Sequence, residues 1–123
     1  MHKGQMLIEL MIALSVVMMT LVALVQISTK SLSNAGFSQK QAVAESFVSR
    51  EMEMIRSTKN KSWDTFYANT TNETNVAIAG TEFTKTITYT KPDANTVTVT
   101  VTVSWTEKDK PFSSRQNTVF SKY

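Results

Sequence analysis

The sequence predicts an α+β fold: a long N-terminal helix packed against a small antiparallel β-sheet. Three observations predict it. An apolar run from Met6 to Ile27 is followed by apolar residues at helical spacing as far as Ile55. A threonine–valine alternation from Thr96 to Trp105 follows near the C-terminus. Turn-forming residues separate that alternation from weaker alternating runs on either side. A stripe of period 3.6 and a face of period two can each bury themselves against the other, which is the layer logic of this fold class.

The run from Met6 to Ile27 is about 22 residues, long enough at about 1.5 Å per residue to cross a bilayer core of about 30 Å. Only Glu9, Ser15, Thr20 and Gln26 interrupt it. A cleaved secretory signal is a poorer reading, because no Ala-x-Ala pattern follows and the leader is too short for a charged region. His2 and Lys3 lie at one end and Lys30 at the other. A short N-terminal segment of that kind is expected to stay cytoplasmic.

After a polar interval ending at Gly36, where the helix can bend or end, Phe37, Ala44, Phe47, Val48, Met52 and Ile55 recur three and four residues apart. Ser46, Ser49, Arg50, Glu53 and Arg56 take the other face. One helix from about Met6 to Ser57 is expected, its first half apolar all round and its second half carrying one apolar stripe, which is read as core against the sheet. Residues 57–75 read as loop, anchored by Trp63, Phe66 and Tyr67. Asn60-Lys61-Ser62, Asn69-Thr70-Thr71 and Asn72-Glu73-Thr74 each fit the glycosylation acceptor pattern, which arises often by chance in Asn/Thr-rich stretches.

Phe83 to Thr90 alternates, with Phe83, Ile87 and Tyr89 on one face. Val97, Val99, Val101, Val103 and Trp105 form the apolar face of the next strand, opposite a hydroxyl face read as solvated. Lys91-Pro92-Asp93-Ala94-Asn95 between them is turn chemistry and predicts a hairpin. Thr106 to Pro111 is a second turn, and a last strand is expected over Arg115–Ser121. The organisation expected is a leader at 1–4, a membrane or assembly half of the helix at 5–29, an amphipathic half at 30–57, and a head of loop and sheet at 58–123 built on 30–57.

The 123 residues carry 13 Lys and Arg against 10 Asp and Glu, one histidine and no cysteine. The charge is mild and dispersed, so nucleic acid is not indicated as a partner. The histidine, His2, lies in the leader, so no metal site or activated nucleophile of the usual kinds is expected; Gly4, Gly36 and Gly80 form no phosphate loop. No enzyme, metal or cofactor is read from the chain. Without disulfides a small head must take support from elsewhere, and the helix is the element available.

Glu9 needs an explanation, because a carboxylate in a membrane-length helix costs a few kcal/mol near the bilayer centre and less near an end. Either it lies at interface depth, helped by the positive end of the helix dipole, or it meets a cation at matching depth in an assembled state. An α-amine at the start of a neighbouring helix would serve, if the chain is cut just before the helix.

Gly4-Gln5-Met6-Leu7-Ile8-Glu9 followed by an apolar run resembles the class III signal of type IV pilins and type II secretion pseudopilins. The resemblance implies that a prepilin peptidase cuts after Gly4 and makes Gln5 the new N-terminus. It further implies N-methylation there, although Gln5 stands where the family usually has phenylalanine, and an assembly role for Glu9. Ala42, Ala44 and Glu45, Met52-Glu53-Met54-Ile55-Arg56, and the run Val97 to Trp105 are similar to minor subunits of the PilV or GspI kind. The expected function is a structural subunit of a type IV pilus or of a secretion or competence pseudopilus. Its expected partners are the peptidase, other subunits, an inner-membrane assembly platform and, before assembly, lipid. A single-pass anchored binding module that never polymerises is the alternative.

Overall fold

The computed structural model describes residues 2–123. Met1, the first residue of the expected leader, lies outside the described residues. The elements are helix α1 (His2–Lys61), helix α2 (Trp63–Ala68) and strands β1 (Glu73–Ala77), β2 (Thr84–Asp93), β3 (Thr96–Glu107) and β4 (Lys110–Ser121). The strands form one antiparallel meander in the order β1-β2-β3-β4. This is the α+β arrangement expected, with helix packed on sheet. The chain divides into two compact units, the first ending at Ser38 and the second spanning Gln39–Tyr123.

In the first unit α1 has no partner element. Every large apolar side chain from Met6 to Ile27 leaves more than half its surface exposed; the lowest are Val17 and Leu21 at 53%. Hydroxyls on this stretch bond back to their own helix, Ser15 to the Met11 carbonyl at 2.8 Å and Thr20 to that of Val17 at 2.7 Å. That is how a polar side chain is tolerated where water is absent. α1 runs without interruption through Gly36, so the helix does not end there.

In the second unit, Ala44, Val48, Met52 and Ile55 form the buried stripe of α1. They face Phe83, Ile87, Val97, Val99, Val101, Val103, Trp105 and Phe120 from the sheet. Val97, Val99, Val101 and Val103 are fully buried, so β3 is the central strand that its alternation predicted. Ring pairs Phe47–Phe83 at 5.6 Å and Phe83–Trp105 at 5.8 Å close one end of this core, and Phe66–Phe120 at 5.9 Å the other.

Several local expectations are corrected. α1 ends at Lys61 rather than Ser57, with Lys59 and Lys61 favourably placed in its last turn. The stretch read as loop then begins with α2, whose N-cap Ser62 accepts from the Thr65 N–H and whose first turn carries Asp64. It ends in a fourth strand, β1, which period-two reasoning misses because it is five residues long, exposed at four of them and broken by a bulge.

The last strand starts at Lys110, earlier than expected. The second turn narrows to Lys108-Asp109, with φ of 51° and 63°, so it is a tight two-residue hairpin whose twist matches the strands. Gly80, at φ 76°, permits the turn before β2, closed by Ile78 N–H to Phe83 O at 3.0 Å.

Candidate functional site: the N-terminal helix segment

Gly4, Gln5 and Glu9 all lie on α1, exposed, within its first turns. Helicity begins at His2, so the Gly4–Gln5 bond lies in the first turns of α1.

Gly4 has no structural reason to be glycine. A Cβ built there meets nothing within 4 Å, and its φ is not in the left-handed region. Glycine in a helix costs up to about 1 kcal/mol relative to alanine. Gly80 makes the contrast, since its positive φ demands glycine. No contact among the described residues therefore accounts for a glycine at position 4.

Glu9 stands one turn above Gln5 on the same helix face, about 6 Å along the axis. Its side chain leans toward the N-terminus, as side chains of helices do. Among the described residues no cation pairs with it. The flanking residues Met6, Leu7, Ile8 and Leu10 are 62–69% exposed, which surrounds the carboxylate with unburied apolar surface. α1 is a helix long and apolar enough to cross a membrane.

A charged group that sequence reasoning missed lies in the head. Lys85, on the inner face of β2 between Phe83 and Ile87, reaches Glu51 of α1 at 3.1 Å and Glu73 of β1 at 3.6 Å. The lysine and Glu51 side chains are about one-fifth exposed, so this pair is shielded and ties three elements together. Burial pulls the Lys85 pKa down, but the hydrogen bond and charge of Glu51, with Glu73 beside it, more than reverse this and hold it above the ordinary 10.5. Burial, then the charges of Glu73 and Glu51, raises the Tyr89 hydroxyl. The signal was present in the sequence: Lys85 shares the phase of Phe83 and Ile87, an awkward place for a lysine without a partner.

Lys85→Met is expected to leave Glu51 shielded and unpaired, at a cost of about 1–2 kcal/mol. That lowers Tm by roughly 5–15 °C. Because the folded pKa is raised, the contribution is whole below pH 10.5 and is lost as pH climbs through the folded value. On the alkaline side, the gap between wild type and variant should therefore close only as the lysine itself deprotonates. Thermal unfolding of both chains across pH checks this, and equal Tm values at neutral pH would contradict it. Adding Glu51→Gln to the variant should restore part of the loss.

Two of the three asparagines of the acceptor patterns make hydrogen bonds in the fold. Asn60 lies in the last turn of α1, and the Ser62 of its triplet caps α2. Asn69 Nδ2 donates to the Thr65 carbonyl at 2.9 Å, and Asn72 Oδ1 accepts from the Tyr89 N–H at 2.8 Å. Among the described residues no group of three or more His, Cys, Asp or Glu gathers to hold a metal.

Comparison with known proteins finds no matching family model, no similar curated protein and no similar solved structure.

Proposed function

We propose that the chain is a structural subunit, of the minor kind, of a type IV pilus or a related secretion or competence pseudopilus. Prepilin peptidase removes the residues up to Gly4 and frees the amine of Gln5. The helix half that includes Met6–Ile27 holds the chain in the cytoplasmic membrane, N-terminus inward, until it passes into a filament. There the apolar halves bundle and the heads face outward.

The observation that carries this reading is the combination of a Gly4 that no contact explains with Glu9 on an apolar helical run, Met6 to Ile27, whose large side chains are all more than half exposed. Such a surface needs lipid or other helices around it, since water leaves all of it unburied. Exchange of lipid for neighbouring helices keeps the apolar side chains out of water. A buried carboxylate then favours the one register that gives it a cation. The Leu7-Ile8-Glu9 resemblance to the pilin signal supports the same assignment, with the inner-membrane platform and sister subunits as partners.

The test is the intact mass of the membrane-extracted chain, with and without a co-expressed prepilin peptidase. Loss of Met1 to Gly4 only when the peptidase is present is the expected result. An unchanged N-terminus in both cases would favour an anchored module that does not polymerise.

A further inference from the structure

The meander has two edges, and they are built differently. The β1 edge is blunted: five residues, a bulge between Glu73 and Val76, and Asn75 in the left-handed region at φ 51°. These are devices that discourage strand addition. The β4 edge has no such interruption. All twelve residues from Lys110 to Ser121 pair in continuous register with β3, from Glu107↔Lys110 to Thr96↔Ser121. Among the described residues no strand pairs with its other side. Pro111 guards only the turn end, so the backbone beyond it remains open to pairing.

The edge also carries one sign of charge. From Lys110 to Tyr123 there are Lys110, Arg115 and Lys122 and no Asp or Glu. Arg115 is exposed on the sheet face away from α1, and its Nε donates to the neutral Thr102 hydroxyl at 3.3 Å. Among the described residues no carboxylate pairs with it. Val119, four residues on and on the same face, is 62% exposed. Toward α1, a shallow groove runs along the edge between Glu45, Val48 and Ser49 of α1 and Ser114, Arg115 and Gln116 of β4, so Arg115 borders it as well.

We propose that the β4 edge docks an extended, acidic segment of a different protein, added as a fifth strand. Main-chain hydrogen bonds would supply affinity, and alternate side chains specificity. A carboxylate belongs beside Arg115 and an apolar residue beside Val119, both on the outer face. Residues of the same segment that point toward Glu45 should be neutral or basic. A second copy is the poorer occupant. Its β4 would bring Lys and Arg against Lys and Arg, and like charges across strands repel. Its β1 is short and bulged. The inference does not depend on cleavage after Gly4.

The test uses the full chain in detergent micelles and two synthetic peptides matching β4 in length. One carries Glu to stand beside Arg115 and Val beside Val119; the other replaces the Glu with Lys. Fluorescence anisotropy reads binding, and amide exchange reads where it occurs. The Glu peptide should bind and slow exchange of the outward β4 amides by at least about tenfold. Arg115→Glu should weaken the Glu peptide by about tenfold and strengthen the Lys peptide. Arg115 is exposed, so the variant should fold; if it does not, Arg115→Gln removes the same charge, and the Glu peptide should then weaken less. Protection elsewhere than β4, or equal binding of both peptides, overturns the proposal. Concentration-dependent protection of β4 without peptide would assign the edge to a second copy and overturn it too.

Discussion

Gly4→Val is expected to leave the head folded and to stop processing. In the structure a side chain at position 4 enters open space, so the fold has nothing to lose. Loss of a terminal glycine should shift head stability by no more than about 0.5 kcal/mol. A peptidase subsite that closes on a bare backbone responds in the opposite way, because any Cβ occupies the volume the enzyme needs. Cleavage should fall by on the order of 100-fold, equivalent to about 2.7 kcal/mol of transition-state stabilisation. Pulse-chase followed by intact mass separates the two effects. The precursor mass should persist while thermal unfolding of the head is unchanged. Gly4→Ala should show the same block in weaker form. If either variant matured to the wild-type mass at the wild-type rate, position 4 would not be the residue before a cut.

The elements legible in the sequence are those whose burial dictates a periodicity. Val97 to Trp105 alternates because one face of β3 is sealed under α1, and the stripe Ala44, Val48, Met52 and Ile55 recurs because it seals that face. What escaped reading lacks that constraint. β1 is an exposed edge strand, held by the Asn72–Tyr89 bond and by Asn75 N–H to Thr86 Oγ1 at 3.1 Å rather than by buried side chains. α2 depends on its Ser62 cap and on Phe66 reaching Phe120, a contact with no local signature. The Lys85–Glu51–Glu73 cluster joins residues distant in the chain, and only the odd phase of Lys85 hinted at it. Gly4, Gln5 and Glu9 are the reverse case. They were conspicuous in the sequence, and the structure adds that no interaction within the described chain accounts for Gly4 or Glu9.

Glu9→Ala should separate maturation from assembly. The substitution removes the one carboxylate of the apolar run, which favours membrane insertion by up to a few kcal/mol depending on depth. Cleavage lies one turn away and should continue, and the helix should keep its form, since alanine is a good helix former. What is lost is the penalty for misregister. With Glu9 present, a subunit displaced along the bundle carries an unpaired charge in an apolar centre, which is costly. With alanine, all registers become similar, and lipid competes with the bundle on nearly equal terms. Incorporation into sheared filaments should drop at least about tenfold while the mature chain accumulates in the membrane. Glu9→Gln keeps size and hydrogen bonding without charge, so it should fail nearly as badly if pairing with an amine is the mechanism. Glu9→Asp retains the charge on a shorter arm and should recover part of the yield. Normal incorporation of the alanine variant would instead place Glu9 at the water interface, where a charge near a helix N-terminus is stable without a partner.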